Sequence, residues 1–169
     1  MGPGQGTGPT RADAIAANIA FVSRKEDLTI SEAESWRALR RSIAAIPAES
    51  REEPLLANGW SVKDVEWHIA FWWQDCVRTL ESLVRGEYSE YEGDTDAINE
   101  EALQQGRSVR LEEAESRLAV VRERLLLVWA EAPDEPRAEE TFSGETIEHY
   151  EEHADDLAAA AARFADGSS

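Results

Sequence analysis

Apolar residues recur every three or four positions along four segments of this chain, and this spacing constrains the fold more than any other feature of the sequence. A helix built on such a segment has one apolar stripe, which it must bury against other helices. The segments are residues 31–46, 61–85, 111–132 and 145–164. No convincing strand pattern interrupts them, so we predict an all-α fold with four-helix bundle architecture.

Capping residues and helix breakers set the predicted helix ends. Ser31 with Glu34 and Ser61 with Asp64 have the three-residue spacing of N-terminal caps, and they predict helices that begin at these serines. Proline and glycine cannot continue a helix easily, so they mark where helices stop. The predicted helices end near Pro47, Gly86, Pro133 and Gly167.

The remaining segments define the domain organisation. Residues 1–10, rich in glycine and proline, read as a flexible tail, and residues 11–166 form one domain. Within it we predict a short extra N-terminal helix over 11–24. A long connection between bundle helices 2 and 3 contains a short helix near 96–105, and 133–137 form a linker before the fourth helix.

Charge and cysteine content exclude several functions. The chain has 17 Lys+Arg against 35 Asp+Glu, a net charge of −18, which repels nucleic acid and anionic lipid surfaces. Its apolar runs are too short to cross a membrane. The single cysteine, Cys76, forms no intrachain disulfide. We therefore expect a cytoplasmic protein that acts on a small molecule, with no nucleic-acid or membrane partner.

Three histidines form the candidate metal site. His149 and His153 lie four residues apart on the fourth helix, so their side chains share one stripe, and His68 lies beside the buried face of the second helix. Three imidazoles from two facing helices hold a divalent ion and leave positions open for water or substrate. The alternative is structural: a hydrogen-bonded core histidine and a partly exposed pair.

Aromatic residues cluster around His68. Trp60, Trp67 and Trp72 are candidates for an apolar wall that binds a substrate over the metal, and core packing or docking of the tail is the favoured alternative for most of them. Tyr150, next to His149, is a candidate for a proton donor, and a surface or interhelical tyrosine is the alternative. Glu145 is the other candidate for a catalytic group.

Two motifs resemble a known family. Residues 58–70, NGWSVKDVEWHIA, and residues 146–157, TIEHYEEHADDL, are similar to the second-helix and fourth-helix signatures of the DinB/YfiT-like superfamily, which includes the mycothiol-dependent maleylpyruvate isomerases. The resemblance implies that His68, His149 and His153 are metal ligands. The maleylpyruvate isomerase branch has a glutamate at the first fourth-helix ligand position, so Glu145 with His149 is the alternative pair.

The resemblance also implies a function. We expect a divalent metal, Zn or Ni, with mycothiol as cosubstrate, in a thiol-dependent S-transferase or isomerase acting on a small electrophile. One alternative is a self-resistance hydrolase that opens a reactive natural product, and another is a non-catalytic protein that binds a hydrophobic ligand under stress. Lys63, Arg78 and Arg107 are candidates for binding a polar thiol. A homodimer is the expected assembly.

Overall fold

The computed structural model describes residues 11–87 and 94–165, with side chains from residue 24 onward. The described chain is helical without strands, which confirms the all-α prediction. Its helices are α1 (Arg11–Ala44), α2 (Val62–Val84), α3 (Thr95–Gly106), α4 (Leu111–Glu131), α5 (Pro136–Ser143) and α6 (His149–Ala165). A 3₁₀ turn (Ala48–Ser50) follows α1, and a π-helical turn (Gly144–Glu148) joins α5 to α6. Among these residues, every helix is too short or too polar to span a lipid bilayer.

Helix α2 is the centre of the bundle. It packs most extensively on α4 and also contacts α3, α5 and α6, while α1 packs mainly on α6. Neighbours on several sides bury most of its residues, including Trp73 and Leu80, which have no exposed surface. Because α2 is enclosed, side chains on more than one of its faces lie in the protein interior.

Helix α1 corrects the prediction of a separate N-terminal helix. It runs without a break from Arg11 to Ala44, so Ser31 and Glu34 lie inside it and do not cap a new helix. The segment contains no glycine or proline, and a hydroxyl inside a helix can bond a carbonyl one turn back. Thr29 does so, donating to the Lys25 carbonyl at 2.8 Å. The predicted tail at 1–10 lies outside the described residues.

The fourth bundle helix begins earlier than predicted. Helix α5 starts at Pro136, within the expected linker, because proline suits the first position of a helix, where the amide has no intrahelical partner. Gly144, directly before the predicted start at residue 145, lies in the π-helical turn, and its carbonyl accepts from the His149 amide. Residues 136–165 therefore form one continuous helix that carries a π turn directly before the histidine pair.

The predicted start of α2 is confirmed. Ser61 Oγ accepts from the Asp64 amide at 3.1 Å, and Asp64 Oδ2 accepts from the Ser61 amide at 2.9 Å, a complete capping box. The turn before it contains Gly59 at φ +85°, a backbone conformation that glycine adopts without strain. The predicted stop also holds, since Gly86 follows α2 at φ +69°. This start fixes where residues one and two turns into α2 lie.

Trp67 of α2 holds α3 in place through a hydrogen bond and through contacts of its ring. Its Nε1 donates to the Ala102 carbonyl at 2.9 Å, and the Arg117 guanidinium lies 4.1 Å from its ring centroid. The last residue of α3, Gly106, lies against the same ring, and its carbonyl accepts from Lys63 Nζ at 3.1 Å. Trp67 is therefore a buried structural residue, which corrects its prediction as part of a substrate wall.

Gly106→Ala should destabilise the fold by about 1–3 kcal/mol, because the new methyl group would lie 2.7 Å from Trp67 Cδ1 and the ring is held in place from two sides. Gly144→Ala is the matched control. A methyl group there meets nothing within 4 Å, so the expected change is within about 1 kcal/mol and toward greater stability. Urea unfolding measures both, and equal effects would contradict the packing of Trp67 on Gly106.

Candidate metal centre

Helices α2 and α6 bring the three histidines of the chain together. His68 comes from α2, two turns after the capping box, and His149 and His153 come from the first turns of α6. The Nε2 atoms of His68 and His149 are 2.9 Å apart, and one ring nitrogen from each of the three lies within 4.8 Å of the others. The positions of the three histidines in the sequence predicted that their side chains converge. Their role as metal ligands stays a prediction.

Several of the histidine nitrogens lack a hydrogen-bond partner in the protein. His68 is 6% exposed and His153 is 7% exposed. Nδ1 of His68 and both ring nitrogens of His153 are buried without a hydrogen bond. Most buried polar groups in native proteins have a partner, so these atoms mark a position where a ligand is expected.

Burial keeps the three imidazoles neutral. It lowers the pKa of His68 to about 3, with further lowering by His149 and His153. Burial and then His153 lower the pKa of His149 to about 3. Burial also lowers the pKa of His153, although Glu152 and Asp156 act in the opposite direction. A metal binds neutral imidazole, so these side chains are in the ligand form at pH 7.

The donor set fits a borderline divalent ion. Nitrogen ligands suit Zn²⁺ and Ni²⁺, and Zn–N distances of about 2.0–2.1 Å place tetrahedral nitrogens about 3.3 Å apart. The observed spacing of 2.9 Å between two Nε2 atoms is close to this value. The nitrogens of the whole cluster lie within 4.8 Å of one another, so their spacings bracket the value that a tetrahedral ion requires.

A cleft of about 670 Å³ opens above the histidines. Two predicted wall residues line it: Trp60 lies 4.9 Å from His68 and 6.2 Å from His153, between ring centroids, and Trp72 donates to Asn99 Oδ1 at 2.8 Å. Apart from Gly144 and the histidines, the other lining residues are polar or acidic, namely Asn58, Thr95, Asn99, Glu145, Glu148, Glu152 and Asp156. The cleft therefore has aromatic side chains on its walls and acidic side chains on its rim.

Glu145, the alternative ligand, lines the cleft but lies outside the ligand cluster. The group of described residues whose ligand atoms converge contains His153 in its place. Burial, and then the charge of Asp75, raise the pKa of Glu145 to about 7. The geometry favours His153 over Glu145 as the third member, and it leaves a carboxyl group that titrates near neutrality beside the site.

Tyr150 lies on the opposite side of α6, away from the cleft. Its hydroxyl donates to Glu32 Oε1 at 3.1 Å, and Arg122 binds the same carboxylate through two hydrogen bonds of 3.0 and 2.7 Å. Its ring packs between Trp36 and Trp73. Tyr150 is thus an interhelical core residue, the alternative to a proton donor at the metal.

The cations considered for thiol binding do not line the cleft. Lys63 is buried against the Gly106 carbonyl, Arg78 pairs with Asp75, and Arg107 lies 3.8 Å from Glu100. No lysine or arginine is among the described residues that line the cleft. A polar thiol would therefore have to bind without a cationic partner from these residues.

Glu148, Glu152 and Asp156 have no role in the sequence-based prediction, and all three line the cleft. The three recur every four residues, each one or three positions from a histidine of α6. A stripe of this kind beside a histidine pair is the sequence signal that could have placed them at the site.

Residues 33–148 match the family described as the mycothiol maleylpyruvate isomerase N-terminal domain. The chain belongs to this family. The match confirms the resemblance indicated by the sequence motifs, and it ends one residue before His149, so two of the three histidines lie beyond the matched region. The family thus supports the fold and a relation to mycothiol enzymes, while the cluster itself rests on the geometry.

A solved structure shares the fold of this family member. The crystal structure of an uncharacterised protein from Escherichia coli UTI89 superposes with a TM-score of 0.72, covering 83% of this chain and 94% of the other. The two sequences are 14% identical, so the likeness shows the fold alone. No curated protein matches the chain.

Glu145→Gln should change the pH dependence of stability. Between pH 4.5 and about 7 the folded protein keeps a proton on Glu145 that the unfolded chain has lost, so the free energy of unfolding falls as pH rises through this window. The glutamine variant lacks this decrease. Urea unfolding of metal-free protein measures it, with Glu148→Gln, an exposed neighbour, as the control. Parallel profiles for the parent and Glu145→Gln would show that the carboxyl titrates normally.

Proposed function

We propose that His68, His149 and His153 bind one divalent ion, Zn²⁺ or Ni²⁺, and that the chain is a transferase or isomerase dependent on a low-molecular-weight thiol of the mycothiol type. The observation that carries the proposal is the convergence of three neutral imidazoles, with unpartnered buried nitrogens, at the base of a cleft. The family of the chain supports the thiol part of the proposal.

The residues of the cleft have separate roles. A divalent ion held by three imidazoles lowers the pKa of a bound thiol or water and polarises a carbonyl group. His68 is positioned by α2 and the histidine pair by α6, so rigid helices hold the ligands. Trp60 and Trp72 provide apolar surface that excludes water and packs on an electrophile.

A hydrolase is the second candidate, and Glu145 is the observation that favours it. Its carboxyl group lines the same cleft and has a pKa of about 7, which suits a general base that activates water. Such an enzyme opens an electrophile without a thiol. Loss of thiol-independent turnover in Glu145→Gln would identify this activity.

The metal content of the purified protein tests whether the three histidines bind an ion. Protein purified without a metal-affinity step should contain about one metal ion per chain by elemental mass spectrometry, and His68→Ala and His153→Ala should each lose it, because two imidazoles hold such an ion poorly. Added Zn²⁺ at a hundred times its dissociation constant should stabilise the metal-free parent by about 2.7 kcal/mol. Tyr150→Phe, beside His149, should keep the metal. A parent that takes up no metal would contradict the proposal.

Thiol dependence tests the reaction. Conjugation of monochlorobimane by the metal-loaded protein should require mycothiol, and His68→Ala should slow it by about a hundredfold or more. Tyr150→Phe should retain the rate, because its hydroxyl is bound to Glu32. Turnover without thiol would favour the hydrolase, and saturable binding without turnover would indicate a binding protein.

A further inference from the structure

The rim of the cleft carries one sign of charge. Glu145, Glu148, Glu152 and Asp156 line it, with Trp60 and Trp72 on its walls. We propose that this cleft selects a small organic cation, an electrophilic substrate that carries an ammonium group on an apolar body. The inference rests on the proposed function, because it names the class of electrophile for that site.

The carboxylates have no counter-ion within the described protein. Glu148 ends the π-helical turn, and Glu152 and Asp156 follow it at four-residue intervals on α6, an arrangement in which like charges repel and destabilise a helix. None of the ion pairs between described residues includes them or Glu145. The three carboxylates of the stripe outweigh the charge of a divalent ion on the histidines, so a ligand of positive charge still binds with an electrostatic gain.

The floor of the cleft shows independently that a ligand is expected there. His68 and His153 are more than nine-tenths buried and face the cleft, and both ring nitrogens of His153 lack a hydrogen-bond partner. A helix face whose acidic residues contact only solvent does not lie over buried side chains that lack hydrogen-bond partners. The carboxylates therefore surround a binding position.

The walls favour an organic cation over a second metal ion. The three histidines are the described group whose ligand atoms converge, and the carboxylates of the rim do not join it. Indole faces attract ammonium groups through cation–π interaction, and they pack on an apolar body. A volume of about 670 Å³ is within the range of pockets that bind small molecules.

The same rim opposes the substrate after which the family is named. Maleylpyruvate is a dicarboxylic keto acid and therefore a dianion at neutral pH. It would face the three carboxylates of the stripe and the partly protonated Glu145, with no lysine or arginine among the described lining residues to bind it. This family member is therefore assigned a substrate of the opposite charge.

Isothermal titration with three probes of similar size tests the assignment: benzyltrimethylammonium, the neutral benzyl methyl sulfone and the anionic phenylmethanesulfonate. The cation should bind at least about tenfold more tightly than either of the others. Replacing the stripe, with Glu148→Gln, Glu152→Gln and Asp156→Asn together, should weaken cation binding about tenfold, roughly two- to threefold for each exposed carboxylate. These changes relieve like-charge repulsion, so the variant should fold.

A second triple variant is the control for net charge. Glu123→Gln, Glu151→Gln and Asp155→Asn remove the same charge from exposed positions outside the cleft, and cation binding should change less than about twofold. Equal weakening by both variants, or a sulfone that binds as tightly as the cation, would overturn the inference.

The titration needs no thiol and no turnover. Cation selectivity without thiol-dependent activity would refute the proposed function alone, and thiol-dependent activity without cation selectivity would refute this inference alone.

Discussion

Enclosure of α2 by its neighbours is the interaction on which the rest of the structure depends. The hydrophobic gain from burying side chains such as Trp73 and Leu80 holds α2 between α4 and the other helices. The same enclosure buries His68, because it lies on another covered face of this helix. The packing that stabilises the bundle therefore also removes water from one member of the histidine cluster and lowers its pKa.

Buried polar groups have hydrogen-bond partners in the core, whereas some of those in the histidine cluster have none. In the core, Glu32 accepts hydrogen bonds from Arg122 and Tyr150, so a buried carboxylate is compensated. At the cluster, both ring nitrogens of His153 are buried without a partner, which costs stability unless a ligand binds. This contrast within one bundle is what separates a binding position from ordinary interior packing.

Membership of the family and the charge of the cleft carry different information. The family match spans residues 33–148 and accounts for the arrangement of the helices. The charge of the rim comes mainly from α6, where Glu152 and Asp156 lie beyond that match. A shared fold can hold different substrates because selectivity is determined by the side chains that line the site. The rim is thus where the selectivity of this chain would be determined.

The sequence by itself determined the elements governed by local physics. The capping box of Ser61 and the glycine stop set α2, and four-residue spacing placed His149 and His153 on one stripe. The structure corrected the start of the first bundle helix: α1 continues past Ser31, since the segment contains no glycine or proline and a capping pattern alone does not end a helix. It also decided which tryptophans face the cleft. Helix α2 is buried on several sides, so the spacing of its apolar residues does not show which neighbour each tryptophan contacts. The contact of Trp67 with α3 depends on residues that are distant in the sequence.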